Sequence, residues 1–141
     1  MRKSEILSLE ILINQNIEKV WKVLTTKELF NECFDFMNIE FNQLNVDEKI
    51  FFKILNSNIV DYAIIKQYVE FTSLSYDYYK MNSNDFQNIS FDLILENKDL
   101  TRLKMTARNL KDEAEFQHSE IAWKSMLNTM KSYIERKQNC R

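Results

Sequence analysis

His118 is the only histidine in the chain, and its imidazole is the side chain best suited to moving protons near neutral pH. It falls between Gln117 and Ser119, where the last helical segment begins and away from that segment's apolar positions. No second group at a suggestive spacing completes an acid–base pair with it. We therefore expect a solvated or helix-capping histidine, and a cyclase or hydrolase is the least favoured function.

The two cysteines are the other candidate nucleophiles. Cys33 lies in an apolar stretch beside Phe30 and Phe34, which is typical of a small core side chain. Cys140 is the penultimate residue, and we expect it to be an incidental surface thiol. Two cysteines without a secretory signal indicate reduced thiols and a cytoplasmic protein.

Carboxylates cluster at Asp112, Glu113 and Glu115, immediately before the last helical segment. Acidic side chains in the first turn of a helix interact favourably with the helix dipole, so a structural role is expected. The chain has no Cys-x-x-Cys motif and no pair of histidines, whereas zinc requires several nitrogen or sulfur ligands. Neither a metal nor a cofactor is predicted.

The composition excludes several function classes, because the chain contains no glycine and no proline. Nucleotide-binding loops, EF-hand loops and the nucleophile elbow of hydrolases all need glycine where the backbone turns sharply. A net charge of -2 and a pI near 5.5 argue against a nucleic-acid partner. Glu5 and Glu10 interrupt the only signal-like stretch, and no apolar run is long enough to span a membrane.

Hydrophobic periodicity predicts the elements that would position these side chains. Residues Glu5–Ile13 alternate as a half-buried strand. A helix follows from Ile17 with Asn16 as N-cap, and a second short helix is expected behind a capping box of Thr25 and Glu28.

Six further strands are predicted from a period of two, with these inward-facing positions: Met37, Ile39 and Phe41; Ile50, Phe52 and Ile54; Val60, Tyr62 and Ile64; Val69, Phe71 and Ser73; Ile89, Phe91, Leu93 and Leu95; Leu103 and Met105. Polar breaks separate them at 45–47, 56–58, 66–67, 82–84 and 97–99. Short strands with hairpin-like breaks indicate an antiparallel meander.

The last segment is the clearest helix. One stripe carries Phe116, Trp123, Leu127, Met130 and Ile134, with Met126 and Tyr133 beside it. Burying such a stripe is worth roughly 8–15 kcal/mol gross, so we expect a long helix lying on the sheet.

Three stretches resemble the START-like (SRPBCC) superfamily, and within it the bacterial homologues of the C-terminal domain of the heat-shock-protein ATPase activator. Residues 17–25 (IEKVWKVLT) resemble its first helix. Residues 91–96 (FDLILE) and 101–105 (TRLKM) resemble its last two strands, and residues 122–127 (AWKSML) with 131–135 (KSYIE) resemble its closing helix. The chain departs from the family at Ala122, where glycine is usual, and in its turns, which lack glycine and proline.

The resemblance implies an α+β helix-grip fold: a single START-like domain over residues 1–141, with a curved antiparallel sheet wrapped around the long helix. It also implies a cavity between sheet and helix, which in relatives holds hydrophobic molecules. The residues that we expect to line it are Phe41, Phe52, Tyr62, Phe71, Phe91, Met105, Trp123, Met126, Met130 and Tyr133. The same side chains are also those of an ordinary, completely filled core.

Two functions are therefore weighed from different classes, besides the enzyme. The leading hypothesis is a non-enzymatic protein that binds a small hydrophobic molecule in the groove under the helix. The alternative is a protein-interaction module, monomeric or homodimeric, by analogy with chaperone-activating relatives. Its contact surface would be the aromatic run of Tyr76, Tyr78 and Tyr79.

Overall fold

The structure is a computed structural model that describes residues 6–139. Within that range the strands are β1 (Leu7–Ile13), β2 (Met37–Glu40), β3 (Lys49–Ile54), β4 (Val60–Val69), β5 (Ser73–Tyr79), β6 (Phe86–Asn97) and β7 (Leu100–Arg108). The helices are α1 (Ile17–Thr25), α2 (Lys27–Cys33) and α3 (Glu113–Asn139). The residues before position 6, including the predicted start of the first strand at Glu5, and Cys140 lie outside the described residues.

The seven strands form one antiparallel sheet in the order β1-β7-β6-β5-β4-β3-β2. Strands β2 to β7 follow one another as a meander, and β1 crosses the molecule to pair with β7 from Leu7 opposite Ala107 to Ile13 opposite Thr101. The curved sheet wraps α3, with α1 and α2 between β1 and β2 in the chain. The predicted α+β helix-grip fold is confirmed.

Asparagine and aspartate replace glycine at most of the sharp turns. The residues described with a positive φ are Asp47, Asn56, Phe71, Asn82 and Asn109, at 64° to 74°. Asn and Asp tolerate this left-handed conformation better than other residues with a Cβ. The predicted breaks at 45–47, 56–58 and 82–84 each contain one of these positions, and a tight turn joins β6 to β7 at 98–99.

The concave face of the sheet and the inner side of α3 form one hydrophobic core. On α3 the residues Leu127, Met130, Tyr133 and Ile134 are buried, and Trp123 packs edge-on against Phe91 of β6 with ring centroids 5.7 Å apart. On β1, Leu7 and Ile13 are buried and Leu9 and Ile11 half-buried, as the alternation predicted. None of the described helices combines the length and apolar character that crossing a membrane requires.

The first helix has the predicted cap, but the second does not. Asn16 accepts a hydrogen bond from the backbone N–H of Lys19 and so caps α1. Thr25 belongs to α1, and its hydroxyl donates to the carbonyl of Trp21 at 2.8 Å. The N-cap of α2 is Thr26, whose side chain makes no capping bond, so the predicted capping box of Thr25 and Glu28 is wrong.

The predicted orientation of β4 is also wrong. Val60, Tyr62 and Ile64 lie on the outer face, whereas Asp61, Ala63 and Ile65 are buried on the concave side. A buried carboxylate is unfavourable unless it is hydrogen-bonded, and Asp61 accepts hydrogen bonds from the Tyr78 hydroxyl and from the backbone N–H of Met81. Because of these two hydrogen bonds, Asp61 can lie on the buried face of β4, and the residues predicted to face inward lie outside.

The boundary between β4 and β5 differs from the prediction as well. The expected break at 66–67 is a β-bulge, and β4 continues to Val69. Phe71 is not a strand residue, because it occupies the turn to β5 with φ 65° and packs against Trp21 with ring centroids 6.5 Å apart. Later in the sheet, Leu95 was predicted to face inward but is exposed near the end of β6.

The C-terminal half of α3 is clamped to the end of β1 by polar contacts. Glu135 accepts hydrogen bonds from the backbone N–H of Asn14 at 2.7 Å and from Lys131 Nζ at 2.7 Å. Lys131 Nζ also donates to the carbonyl of Leu12 at 2.7 Å. Burial by itself would raise the pKa of Glu135, but the bonds from Lys131 and Asn14 outweigh it and hold that pKa below its ordinary value.

Candidate functional site

A cavity of about 180 Å³ lies between the concave face of the sheet and α3. Its wall is formed by the end of α1, by α2 and the residue after it, by residues of strands β2, β3, β5 and β6, and by one face of α3. Its lining residues are Leu24, Phe30, Phe34, Met37, Phe52, Tyr76, Tyr78, Gln87, Ile89, Phe91, Trp123, Met126, Leu127 and Met130.

The wall of this cavity is almost entirely apolar, and no charged side chain lines it. Aromatic rings supply much of the surface: Phe52 contacts Tyr76 and Tyr78 with centroids 5.8 and 5.0 Å away, and Tyr76 contacts Phe91 at 6.2 Å. The α3 side contributes Met126 and Met130, whose unbranched thioethers adapt to irregular shapes. Such a surface favours an apolar guest.

Two of the polar side chains in the wall are already hydrogen-bonded. The Tyr78 hydroxyl donates to Asp61. Burial and then this bond to a carboxylate raise the pKa of Tyr78 above its ordinary value. The Gln87 side-chain amide donates to Glu115 in the first turn of α3 at 2.6 Å. The Tyr78 hydroxyl has thereby used its one donor, whereas the Gln87 amide is held at Glu115 by one of its two N–H groups.

The Tyr76 hydroxyl makes no hydrogen bond to any of residues 6–139, and it is not a sealed atom, because the fully buried side-chain polar atom without a partner in this range is Nε2 of Gln15. Tyr76 is only 6% exposed, and its ring is part of the cavity wall. Burial raises the pKa of Tyr76 well above its ordinary value, so this phenol is neutral at any physiological pH. The cavity thus contains one uncommitted hydroxyl.

Five of the ten residues expected at the site line this cavity, namely Phe52, Phe91, Trp123, Met126 and Met130. They come from β3, β6 and the middle of α3, which the fold brings to face one another.

The other five lie elsewhere. Tyr62 is on the outer face of β4, stacked on Tyr79 at 4.9 Å, and Phe71 is in the turn after β4. Met105 is fully buried between Leu9 and Phe91 in the sheet, and Phe41 follows the end of β2, where Lys27 lies over its ring. The hydroxyl of Tyr133 donates to Glu32 of α2, outside the cavity.

Two tyrosines of β5 were missed as lining residues. Leu74, Tyr76 and Tyr78 alternate with Ser73, Ser75 and Asp77, which is a period-two pattern that places both tyrosines on one face. The alternation in the sequence therefore already indicated that Tyr76 and Tyr78 share one face of β5 and that Tyr79 lies on the other. The expected contact surface of all three tyrosines is wrong, because only Tyr79 lies on the outer face.

The candidate chemical groups of the sequence lie outside this cavity. His118 is exposed and borders a neighbouring, more polar pocket of about 470 Å³ that shares Tyr78, Gln87 and Trp123 with the cavity wall. Asp112 accepts a hydrogen bond from the backbone N–H of Glu115 at 2.9 Å and so begins α3, as expected of that cluster. Nowhere in residues 6–139 do three His, Cys, Asp or Glu side chains gather as a possible metal site.

The thiol of Cys33 is buried under α3. Burial raises its pKa to about 12, although Arg136 acts in the opposite direction. A thiol with so high a pKa is almost entirely protonated near neutral pH and is a poor nucleophile. Cys33 is therefore a core side chain, as the sequence predicted.

Comparison with known proteins identifies one matching family. Residues 14–135 match the family described as "Activator of Hsp90 ATPase homolog 1-like protein". The match extends from the residues before α1 to the last turns of α3. The comparison with proteins of curated function found no match.

Several solved structures share the fold over nearly their whole length. ChR145 from Cytophaga hutchinsonii is 23% identical, with a TM-score of 0.81 and 99% of each chain covered. Protein MLL2253 from Mesorhizobium loti is 17% identical, with a TM-score of 0.80 and coverage of 94% of this chain and 98% of its own. The Aha1 dimer from Colwellia psychrerythraea is 17% identical, with a TM-score of 0.75 over 92% of this chain and 96% of its own.

Proposed function

The chain belongs to the Activator of Hsp90 ATPase homolog 1-like family, and from that premise we propose that it binds a small hydrophobic molecule in the cavity between its sheet and α3. The proposal assigns no chemical step to the protein. The core position of Cys33 and the exposed position of His118 are consistent with binding alone. Cys33 is a free thiol, which fits a protein of the reducing cytoplasm.

The observation that supports this proposal is the size and character of the cavity. Core packing normally leaves few voids larger than a water molecule. An apolar cavity of about 150 Å³ in another protein stays dry and binds benzene, and the cavity here measures about 180 Å³ with no charged group in its wall. We therefore expect a guest about as large as one aromatic ring.

Native mass spectrometry combined with an NMR titration tests the proposal. The first experiment records whether the purified chain carries a co-purified species that is lost on unfolding and refolding. The second follows backbone amide shifts of the refolded chain on addition of toluene. We expect the largest shifts next to Trp123, Met126 and Met130. Shifts spread over the outer surface, or none at saturating toluene, would refute the proposal.

A second candidate function, an interaction module, is supported by an aromatic row on the outer face of the sheet. Phe51, Tyr62, Tyr79 and Phe86 are directly opposite one another across β3, β4, β5 and β6. Phe51 is 43% exposed, and exposed aromatic side chains are enriched in protein interfaces. A solved relative from Colwellia psychrerythraea is described as a dimer, and we propose homodimerisation through this row as the alternative role.

Light scattering at increasing protein concentration tests the alternative. If the row forms a dimer interface, the mass doubles and Tyr79→Asp restores the monomer, because a carboxylate would then be buried without a partner. The control is Tyr62→Phe, which keeps the aromatic ring and should keep the dimer. A monomeric mass at every concentration would exclude this role.

A further inference from the structure

The Tyr76 hydroxyl differs from the other hydroxyl of the cavity wall, because the Tyr78 hydroxyl has a protein partner and the Tyr76 hydroxyl has none among the described residues. Tyr78, two residues along the same strand, donates to Asp61, and Gln87 donates to Glu115. Tyr76 is more than nine-tenths buried as a residue, its ring contacts Phe52 and Phe91, and its hydroxyl makes no hydrogen bond to a described residue although its oxygen is not sealed off.

A hydroxyl that has no protein partner and lines an apolar cavity can be hydrogen-bonded only by water or by a bound molecule. A phenylalanine would line the cavity equally well but could bind neither. Because the hydroxyl lies in the wall of a cavity that admits a guest, a polar atom of the guest is a natural partner.

We propose that Tyr76 is the polar recognition group of the cavity and that the ligand is an uncharged molecule of single-ring size with one hydrogen-bonding oxygen, of the phenol type. This inference rests on the proposed ligand-binding function and deepens it. A tyrosine hydroxyl can donate one hydrogen bond and accept others, and a phenolic oxygen offers both complements.

The charge of the ligand follows from the wall of the cavity. No Lys, Arg or His lines it, and its other polar groups are held by Asp61 and Glu115, both carboxylates behind the wall. A carboxylate ligand would lose its hydration without gaining a counter-ion, which is strongly unfavourable. The inference therefore excludes anionic ligands of the same size.

The size of the ligand follows from the volume. At about 180 Å³ the cavity is only slightly larger than one that holds benzene in another protein. Known ligand pockets for larger molecules typically measure about 300–1,000 Å³. The cavity itself therefore matches a single ring, and a larger molecule would have to extend past Tyr78, Gln87 and Trp123 into the neighbouring pocket.

The test is a cycle of two ligands and two proteins, with affinities from NMR titration. Phenol and toluene have nearly the same shape and differ by a hydroxyl against a methyl, and Tyr76→Phe removes only the protein's oxygen. We expect the variant to bind phenol about three- to tenfold more weakly and toluene equally well or better. The test compares, for each ligand, the ratio of its affinities for the wild-type protein and the variant, so the different water solubilities of phenol and toluene cancel. Benzoate is the charged probe and should not bind.

A stability measurement on the unliganded protein supplies the second arm. Tyr76→Phe should leave the urea midpoint unchanged or raise it, since no hydrogen bond is lost. Tyr78→Phe is the matched control on the same strand, and it should lower the midpoint because it leaves Asp61 with one donor fewer. If Tyr76→Phe destabilises as much as Tyr78→Phe, the hydroxyl already has a partner and the inference is wrong.

The outcomes distinguish the inference from the function on which it rests. If phenol and toluene both bind and Tyr76→Phe changes their affinities equally, the cavity is a ligand site and Tyr76 is not its recognition group. If neither binds the wild-type protein, the proposed function fails and the inference fails with it. Binding of benzoate as tightly as phenol would overturn the assignment of an uncharged ligand.

Discussion

Single side chains decide whether the space under α3 is a binding site or ordinary core. Met130 and Met105 are both buried methionines, with 2% and 0% of their surface exposed, but only Met130 lines the cavity. Enlarging a side chain in a fully packed place forces neighbours out of their rotamers, whereas enlarging one beside a void fills it. The two methionines therefore provide a direct comparison.

We predict that Met130→Trp keeps the free energy of unfolding within about 1 kcal/mol of wild type and abolishes toluene binding. The matched substitution Met105→Trp should cost roughly 1–3 kcal/mol or more, because the sheet has no space for the ring. Equilibrium denaturation and the NMR titration check both. Equal destabilisation by the two substitutions would mean that the groove is solid core.

Cys33 should be chemically inert in the folded protein. Because burial raises its pKa to about 12, only about one thiol in ten thousand is ionised at pH 8. In a Cys140→Ser background we predict that iodoacetamide modifies native Cys33 far more slowly than the urea-unfolded chain, as followed by mass spectrometry. Equal rates would contradict its place in the core.

At the residue scale the sequence predicted types of side chain better than their partners. It indicated that aromatic and methionine side chains would face α3, and Phe52, Phe91 and Met126 do so. It could not show that the Tyr133 hydroxyl donates a hydrogen bond to Glu32, because these residues are about a hundred positions apart and meet only in the folded chain. For the same reason the free hydroxyl of Tyr76 was invisible in the sequence.

At the scale of elements, α3 is held by apolar packing along one face and by a polar clamp near its C-terminal end. Lys131 and Glu135 connect it to Leu12 and Asn14 at the end of β1. These contacts hold α3 against β1, the first strand of the chain, which pairs with the last strand, β7. The clamp therefore sets the position of the cavity's α3 wall.

We predict that Glu135→Gln destabilises the protein at pH 7 by about 1 kcal/mol. The folded-state pKa of Glu135 lies below its ordinary value of 4.5, so its ionised form stabilises the fold above that pH. This contribution is lost as the pH falls through the lowered pKa. Urea denaturation at pH 7 and at about pH 3 should therefore show a difference that shrinks in acid.

Glu120→Gln is the control for that experiment, because Glu120 is on the same helix and forms a surface ion pair with Lys124 at 3.5 Å. Exposed pairs of this kind contribute little, so its substitution should change the free energy of unfolding by roughly a few tenths of a kcal/mol at most. A pH-independent effect of Glu135→Gln would contradict the role of its charge in the clamp.

The phase of β4 shows why some elements escaped prediction. Val60, Tyr62 and Ile64 are more hydrophobic than Asp61 and Ala63, so periodicity alone placed the wrong face inward. In the structure the opposite face is buried, because Tyr78 and Met81 donate hydrogen bonds to the Asp61 carboxylate. On the outer face, the Tyr62 ring stacks on the Tyr79 ring. Both compensations depend on strands that are adjacent only in the sheet.

At the scale of the whole molecule, prediction was most successful. The order of one strand, two short helices, a meander and a long helix, together with the family resemblance, was enough to identify the helix-grip fold. Hairpin partners are neighbours in sequence, so turn residues such as Asn56 and Asn82 located them. The long-range pairing of β1 with β7 was not predicted, because periodicity does not choose partners.

That one long-range pairing has a consequence for the speed of folding. Hairpins between neighbouring strands close short loops, whereas β1 meets β7 only after almost the entire chain has been brought together, which costs more entropy. With no proline in the sequence, no prolyl isomerisation competes as the slow event. We predict a single refolding phase in stopped-flow fluorescence, with no component of tens of seconds.

Docking of β1 should then be the last step of folding. The same substitution made in β1 and in β4 can test this order. Ile13 of β1 and Ile65 of β4 are both 0% exposed. We expect Ile13→Val to accelerate unfolding and leave the refolding rate unchanged, whereas Ile65→Val should slow refolding. If Ile13→Val instead slows refolding and Ile65→Val only accelerates unfolding, β1 and β7 pair first and the other strands of the meander form afterwards.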